Sequence, residues 1–348
     1  MKHLSWFNKI VFFFNILFAL LLCVSFLAPF VSVKTIPFLS ILSLSVSLLV
    51  FVNLLFCAYW LLQRNKRLFV SGTLLVLGYF IFGSFFKLNF TSEQVSSDEL
   101  KVMSYNARGF NKFNWSNDKS LGDKIIDFVS QENPDIICIQ EHSRIWHHKL
   151  KQFKYRSETP YSAPKSVQAI FSKYPIISKG SLDLPKTVNN IIYADILYRK
   201  DTIRVYNIHL QSFSIDPNPE TIVEEQSDKL LKRLTNTFKK QQEQAAIFAK
   251  HRKESPYKSI VCGDFNNTAF SYVYKEMKED LKDAITIRNS QLVDEVQGEI
   301  KRVVADYAKT NDYDVILINA ILYANERIDI TDEILAQLRQ EYNKSDSP

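Results

Sequence analysis

Ser259-Ile260-Val261-Cys262-Gly263-Asp264-Phe265-Asn266-Asn267 is the stretch on which the reading of this chain turns. β-Branched residues running into a glycine read as a buried strand that stops at a loop. Asp264 and Asn266 are two apart, so at strand spacing they project from one side. A carboxylate beside an amide can orient a water or meet a metal-bound phosphate oxygen. An Asx-type turn that merely closes the strand uses the same residues. The choice between the two depends on what else the chain contains.

Three more apolar runs end in the same manner. Leu100-Lys101-Val102-Met103-Ser104-Tyr105 stops at Asn106, Ile136-Ile137-Cys138-Ile139 enters Gln140-Glu141, and Arg204-Val205-Tyr206-Asn207-Ile208 leads to His209. Residues 168–172 and 191–198 read as further strands. Residues 119–131 have the spacing of an amphipathic helix, and a long charged helix is expected over about 222–252. A strand ending in Glu is ordinarily a solvated edge, and one ending in His is ordinarily a structural hydrogen bond. Four such endings together suggest one rim on which the side chains converge. Hard oxygen donors such as Glu141 and Asn106 suit magnesium or manganese rather than zinc. His209 could donate to a phosphate oxygen and Asp264 could orient the attacking water, a combination that serves phosphoester hydrolysis.

The ordered pieces Ser104-Tyr105-Asn106, Ile139-Gln140-Glu141, Ile170-Phe171-Ser172-Lys173-Tyr174-Pro175, Asn207-Ile208-His209-Leu210 and Gly263-Asp264-Phe265-Asn266 resemble the endonuclease/exonuclease/phosphatase family, with its deoxyribonuclease I-like fold. The resemblance covers about residues 100–285. It implies an α+β, four-layer α/β/β/α sandwich lacking its last strands. It also implies Mg2+ (or Mn2+) at Glu141 with Asn106 assisting. His209 would contact the scissile phosphate, and Asp264 and Asn266 would position the water and stabilise the transition state. The implied substrates are phosphoesters: nucleic acid, nucleotide or phospholipid head group.

The family ordinarily closes on a Ser-Asp-His motif, whereas no histidine here lies beyond His251. Ser345-Asp346-Ser347 does not replace it, because a serine has no usable basicity near neutral pH. A catalytically inactive phosphate- and metal-binding pseudoenzyme therefore stands beside the hydrolase reading. Residues 286–348 resemble the Skp/OmpH chaperone family, notably Leu322-Tyr323-Ala324 and Ile328-Asp329-Ile330-Thr331. That likeness implies a route to homo-oligomers through the tail.

The first 88 residues are of another kind. Apolar stretches at 10–33, 36–62 and 68–88 each approach the roughly 20 residues a membrane helix needs, so a three-helix transmembrane anchor is expected over 1–88, with a polar linker at 89–99. Lys2 and Lys9 before the first stretch, and Arg64, Lys66 and Arg67 after the second, place the amino terminus in the cytoplasm. The remainder would then emerge on the extracytoplasmic or periplasmic side of the inner (plasma) membrane. The chain of 348 residues carries a net charge of +6, weak support for an anionic partner. Four cysteines argue against a disulfide scaffold. The charges at Lys239-Lys240 and Lys250–Lys253 read as the wet face of a helix.

Overall fold

A computed structural model of the chain describes residues 5–83, 100–114, 116–213 and 227–283. Among the described residues eight strands form two sheets: β1 Val102–Asn106, β2 Ile136–Gln140, β3 Tyr155–Glu158 and β4 Ala169–Ser172 in one, β5 Ile176–Ser181, β6 Asn190–Tyr198, β7 Asp201–His209 and β8 Lys258–Asp264 in the other. The orders are β1-β2-β4-β3 and β5-β6-β7-β8. The pairs β1/β2 and β7/β8 are parallel, and the others antiparallel.

Period-two alternation builds the layers. Ile136, Cys138 and Ile170 of the first sheet meet Ile192, Ala194, Ile196 and Val205 of the second in one buried cluster. The outer residues of the first sheet, Ile137, Ile139 and Phe171, pack on Ile125, Ile126 and Val129 of helix α5 (Leu121–Glu132). Ile191, Tyr206 and Ile208 pack outward on Phe238, Ala245 and Phe248 of helix α6 (Ser227–Lys253). The result is a mixed α+β arrangement of two facing sheets with a helix on each outer face. Strands β3 and β5, which the apolar pattern does not announce, are edges. Tyr-Arg-Ser-Glu is polar, and β5 carries Gly180 and a register shift.

The amino-terminal region differs from the expected three spans. One element, Trp6–Phe30, comprising α1 (Trp6–Ser25) and a 3-10 turn, is long and apolar enough to cross a membrane. The second stretch breaks at Leu44-Ser45 into α2 (Pro37–Ser43) and α3 (Val46–Leu62), bent by 62°. The third, α4 (Leu68–Phe82), has 15 described residues, about 22 Å at the helical rise and short of a 30 Å hydrocarbon core. These helices enclose polar groups. Asn15 donates to Ser71 Oγ (2.5 Å), Ser71 to Asn53 Oδ1 (2.7 Å), and Trp60 Nε1 to Asn15 Oδ1 (3.0 Å).

The segment after α1 docks on the sheet domain. Val33 is fully buried in the same cluster as Leu184, Ile191 and Phe238. Ser32 and Gln242 exchange hydrogen bonds, Thr268 donates to the Ser43 carbonyl, and Phe82 packs edge-on against Phe270. A last helix, α7 (Tyr272–Lys278), sets Lys275 3.9 Å above the Phe30 ring. The 89–99 linker and the expected tail, 286–348, lie outside the described residues.

Candidate active site

The ends of β1, β2, β7 and β8 meet at one rim. Val102, Ser104 and Asn106 alternate onto the inter-sheet face of β1, and Ile260, Cys262 and Asp264 onto that of β8. Asn106 Nδ2 therefore reaches Asp264 Oδ2 at 3.0 Å. In parallel register His209 pairs with Asp264, which places the imidazole and the carboxylate side by side. Glu141 would by alternation follow Ile137 and Ile139 toward α5. Its left-handed φ of 47° re-aims it instead, and its Oε1 accepts from Asn106 Nδ2 at 3.1 Å and lies 3.8 Å from His209 Nε2.

Gly263 makes the last step of β8 possible. Its φ is +143°, and a Cβ there would lie 2.0 Å from the Ile208 carbonyl oxygen. Beyond it, Asn266 N donates to Asp264 Oδ1 (2.9 Å), so the Asx-type turn is formed. Asn266 has φ 47°, which breaks strand spacing, and its Nδ2 is bound to the Leu210 carbonyl at 3.0 Å. The four residues Asn106, Glu141, His209 and Asp264 are thus linked in a ring of neighbours, while Asn266 supports the loop and holds Asp264.

Glu141 and His209 line a cavity of about 550 Å³ that also touches Lys112, Arg144, Lys165 and Ser212. The Glu141 side chain is 37% exposed and that of His209 5%. Burial pushes the His209 imidazole below its ordinary value, against the pull of Asp264 and Glu141. Burial also drives neighbouring His142 down to about 3, aided by the charges of His147 and the nearby arginines. It is a neutral ring stacked on His147 at 4.9 Å.

Divalent-metal chemistry is expected at such a rim, and the donor set fits one hard cation of the magnesium kind. Such a cation needs only one or two carboxylates and takes its other ligands from water and phosphate. Glu141 presents a part-exposed carboxylate to the cavity. Asn106, the other expected ligand, is hydrogen-bonded to Glu141. Its Oδ1 accepts from Arg108 N (3.0 Å) and its nitrogen faces both carboxylates, so it ties them together. Among the described residues no group of three or more His, Cys, Asp or Glu side chains forms a metal cage.

Beneath the rim runs a polar network that the strand pattern concealed. Asn207 points from β7 into the inter-sheet layer, where Nδ2 donates to the Ile139 and Ala169 carbonyls, each at 2.9 Å. Its Oδ1 accepts from Gln140 Nε2 at 2.7 Å, and Gln168 Nε2 donates to its carbonyl at 3.0 Å. One asparagine fixes the second sheet against β2 and β4 immediately below Glu141. A lone amide inside an apolar run was the available signal.

Residues 103–320 match the profile of the Endonuclease/Exonuclease/phosphatase family, a span that runs beyond the junction expected near 285. Residues 8–85 match a second profile, described as a domain of unknown function (DUF8431). No curated protein matches the chain. Solved structures similar to it include TDP2 of D. rerio complexed with single strand DNA product, with 17% identity over 49% of this chain and 62% of that chain, TM-score 0.37. A β-hairpin deletion mutant of beta toxin from Staphylococcus aureus shares 20% identity over 53% and 74%, TM-score 0.37. Sphingomyelinase C from Streptomyces griseocarneus shares 16% over 52% and 69%, TM-score 0.37. The chain thus spans less than two thirds of the TDP2 structure's length.

Proposed function

Since the chain belongs to the Endonuclease/Exonuclease/phosphatase family, we propose that it is a membrane-anchored, magnesium-dependent phosphoester hydrolase acting at the Glu141–His209–Asp264 rim. The observation that carries this reading is the contact of four strand-end side chains beside a cavity large enough for a phosphoester head group. A cation held at Glu141 would supply charge to offset that developing on the phosphoryl oxygens. The protein groups do the rest. Neutral, desolvated His209 offers a hydrogen bond to a non-bridging phosphate oxygen. Asp264, held through both oxygens by Asn106 and the Asn266 backbone, keeps a fixed orientation for a water nucleophile. Asn106 keeps the two carboxylates at fixed separation, which substitutes preorganisation for reorientation during reaction.

The membrane part of the reading rests on an inside-out bundle. Asn15, Asn53 and Ser71 are buried while Phe13, Leu48, Phe51 and Phe80 lie more than half exposed, the pattern of helices solvated by lipid. Asn8 bonds to Gln63 and Tyr59 at one end of the bundle. At the other end Ser32, Ser43 and Phe82 touch the sheet domain. Anchoring needs no more than the one element, Trp6–Phe30, that is long and apolar enough to span.

The test is turnover of bis(4-nitrophenyl) phosphate by the purified full chain in detergent. Asp264→Asn and His209→Ala should each lower kcat by about 10²–10⁴-fold. The second reading is a binding protein that retains the pocket without acid–base chemistry. Phosphate binding with no turnover by the wild type would select it.

A further inference from the structure

Among the described residues of the sheet domain, the most exposed large hydrophobic side chains are Phe113, Ile145, Tyr161 and Val188, at 64–78%. Apolar residues exposed singly are ordinary on any protein, whereas a cluster of them marks a surface that meets something. These four are gathered at one place. Phe113, Ile145 and Val188 line the same cavity as Glu141 and His209. Tyr161 lies 3.8 Å beneath the guanidinium of Arg144, which lines it too.

The three lining residues come from separate loops: Phe113 from the turn after β1, Ile145 from the 3-10 turn after β2 (Arg144–Lys149), and Val188 from the β5–β6 connection. Each loop is fastened by its backbone. Gly109 N donates to the Glu141 carbonyl (2.8 Å), Trp146 N to the Ser143 carbonyl (3.1 Å), and Ser166 N to the Val188 carbonyl (2.7 Å). The first two loops also send an aromatic ring inward, Phe110 stacked on Trp146 at 5.3 Å. Core packing is met by those rings and leaves Phe113 and Ile145 outside it. Lys112 lies 5.7 Å from the Phe113 ring, which stays 66% exposed. At the buried end of the same lining are His142, Asn189 and His209. Polar groups at the buried end and three hydrocarbon side chains at the exposed end suit a charged head group that carries an apolar chain.

The apolar amino-terminal helices reach the loop that leaves this rim. Thr268 donates to the Ser43 carbonyl at the end of α2, and Phe270 packs on Phe82 of α4. Thr268 is four residues from Asp264, so chain length alone keeps their Cα atoms within about 14 Å.

We propose that Phe113, Ile145 and Val188 seat the hydrocarbon chain of a lipid phosphoester drawn from the bilayer that holds the anchor. The inference rests on the hydrolase reading of the rim and adds the substrate class to it.

The experiment compares kcat/KM for ethyl and octyl 4-nitrophenyl phosphate, corrected for partition into micelles, using the full chain in detergent. Wild type is set beside Phe113→Ser, Ile145→Ser and Val188→Ser, all at exposed positions where the fold should tolerate them. One buried methylene is worth about fourfold. Wild type should therefore favour the octyl ester by about tenfold or more, and each substitution should cut that preference by roughly three- to fivefold through KM. A wild-type preference near one, or one that all three variants keep, would overturn the proposal. So would a preference for the 4-nitrophenyl ester of thymidylate over the octyl ester, which would select a nucleotide substrate. Calorimetric binding of octylphosphonate and ethylphosphonate separates this claim from the hydrolase reading. Tighter octylphosphonate binding that the substitutions remove, with no ester turned over by wild type, would overturn the hydrolase reading and leave the apolar seat standing. Equal binding of the two phosphonates would overturn the seat.

Discussion

Gly263→Ala is the sharpest perturbation of the rim. Gly263 pairs in parallel register with Ile208, and an added Cβ would lie 2.0 Å from Ile208 O, 2.6 Å from its N and 2.7 Å from its C. Carbon–carbon and carbon–oxygen contacts need roughly 3.5 Å, so β8 must leave β7 by more than about 1 Å. No side-chain rotation relieves this, because every clashing atom is backbone. Overpacking contributes about 1–3 kcal/mol, and holding a Cβ at φ +143° about as much again. The sum, near 4 kcal/mol, is a large share of the 5–15 kcal/mol typical of a domain. At roughly 2–4 °C per kcal/mol for a domain of this size, Tm should fall by about 8–16 °C. Gly180→Ala is the control, since its Cβ would meet only the tip of the Tyr193 side chain, which can move. The assay is thermal melting of the detergent-solubilised chain followed by tryptophan fluorescence. The same displacement would pull Asp264 from Asn106, so kcat should fall even below the melting range. Melting within about 2 °C of wild type, or no lower than Gly180→Ala, would refute the steric reasoning.

Two further outcomes follow from a buried amide and a part-buried imidazole. Asn207→Leu removes the amide that joins the sheets and leaves Gln140 Nε2 without its 2.7 Å acceptor, so the domain should lose about 2–4 kcal/mol in urea unfolding; a loss under about 0.5 kcal/mol would contradict the role given to it. His251 accepts from the Tyr206 hydroxyl at 2.9 Å if neutral, and burial first, then Arg204, pushes its imidazole below the ordinary 6.5. The folded chain then binds a proton less readily than the unfolded chain, so stability is full above about pH 6.5 and is lost as pH falls from there toward the folded value. Stability measured from pH 7 to 5 should decline less steeply in His251→Gln, and an unchanged slope would count against the shift.

Much of the rim was legible because apolar runs that stop at Asn106, Glu141, His209 and Asp264 advertise strand ends. Their convergence required only that strands of one core share an edge. The aim of Glu141 was not legible, since a left-handed residue reverses what alternation predicts. Nor was the hydrogen bonding of Asn106, whose amide faces carboxylates that only the fold brings near it. Asn207 was hidden because an amide between Tyr206 and Ile208 reads as an edge residue until a second sheet is placed over it. The bend between α2 and α3 was equally silent: Leu44-Ser45 interrupts the helix without a proline or charge to mark it.

The most direct measurement of metal-dependent hydrolysis at this rim is Mg2+ titration of bis(4-nitrophenyl) phosphate turnover by wild type and Glu141→Gln, with Mn2+ binding followed in parallel by electron paramagnetic resonance. Turnover that saturates with Mg2+, disappears with chelator, and falls together with Mn2+ affinity in Glu141→Gln is the expected result. Turnover indifferent to chelator, or a Glu141→Gln chain that binds Mn2+ and hydrolyses the ester as wild type does, would contradict it.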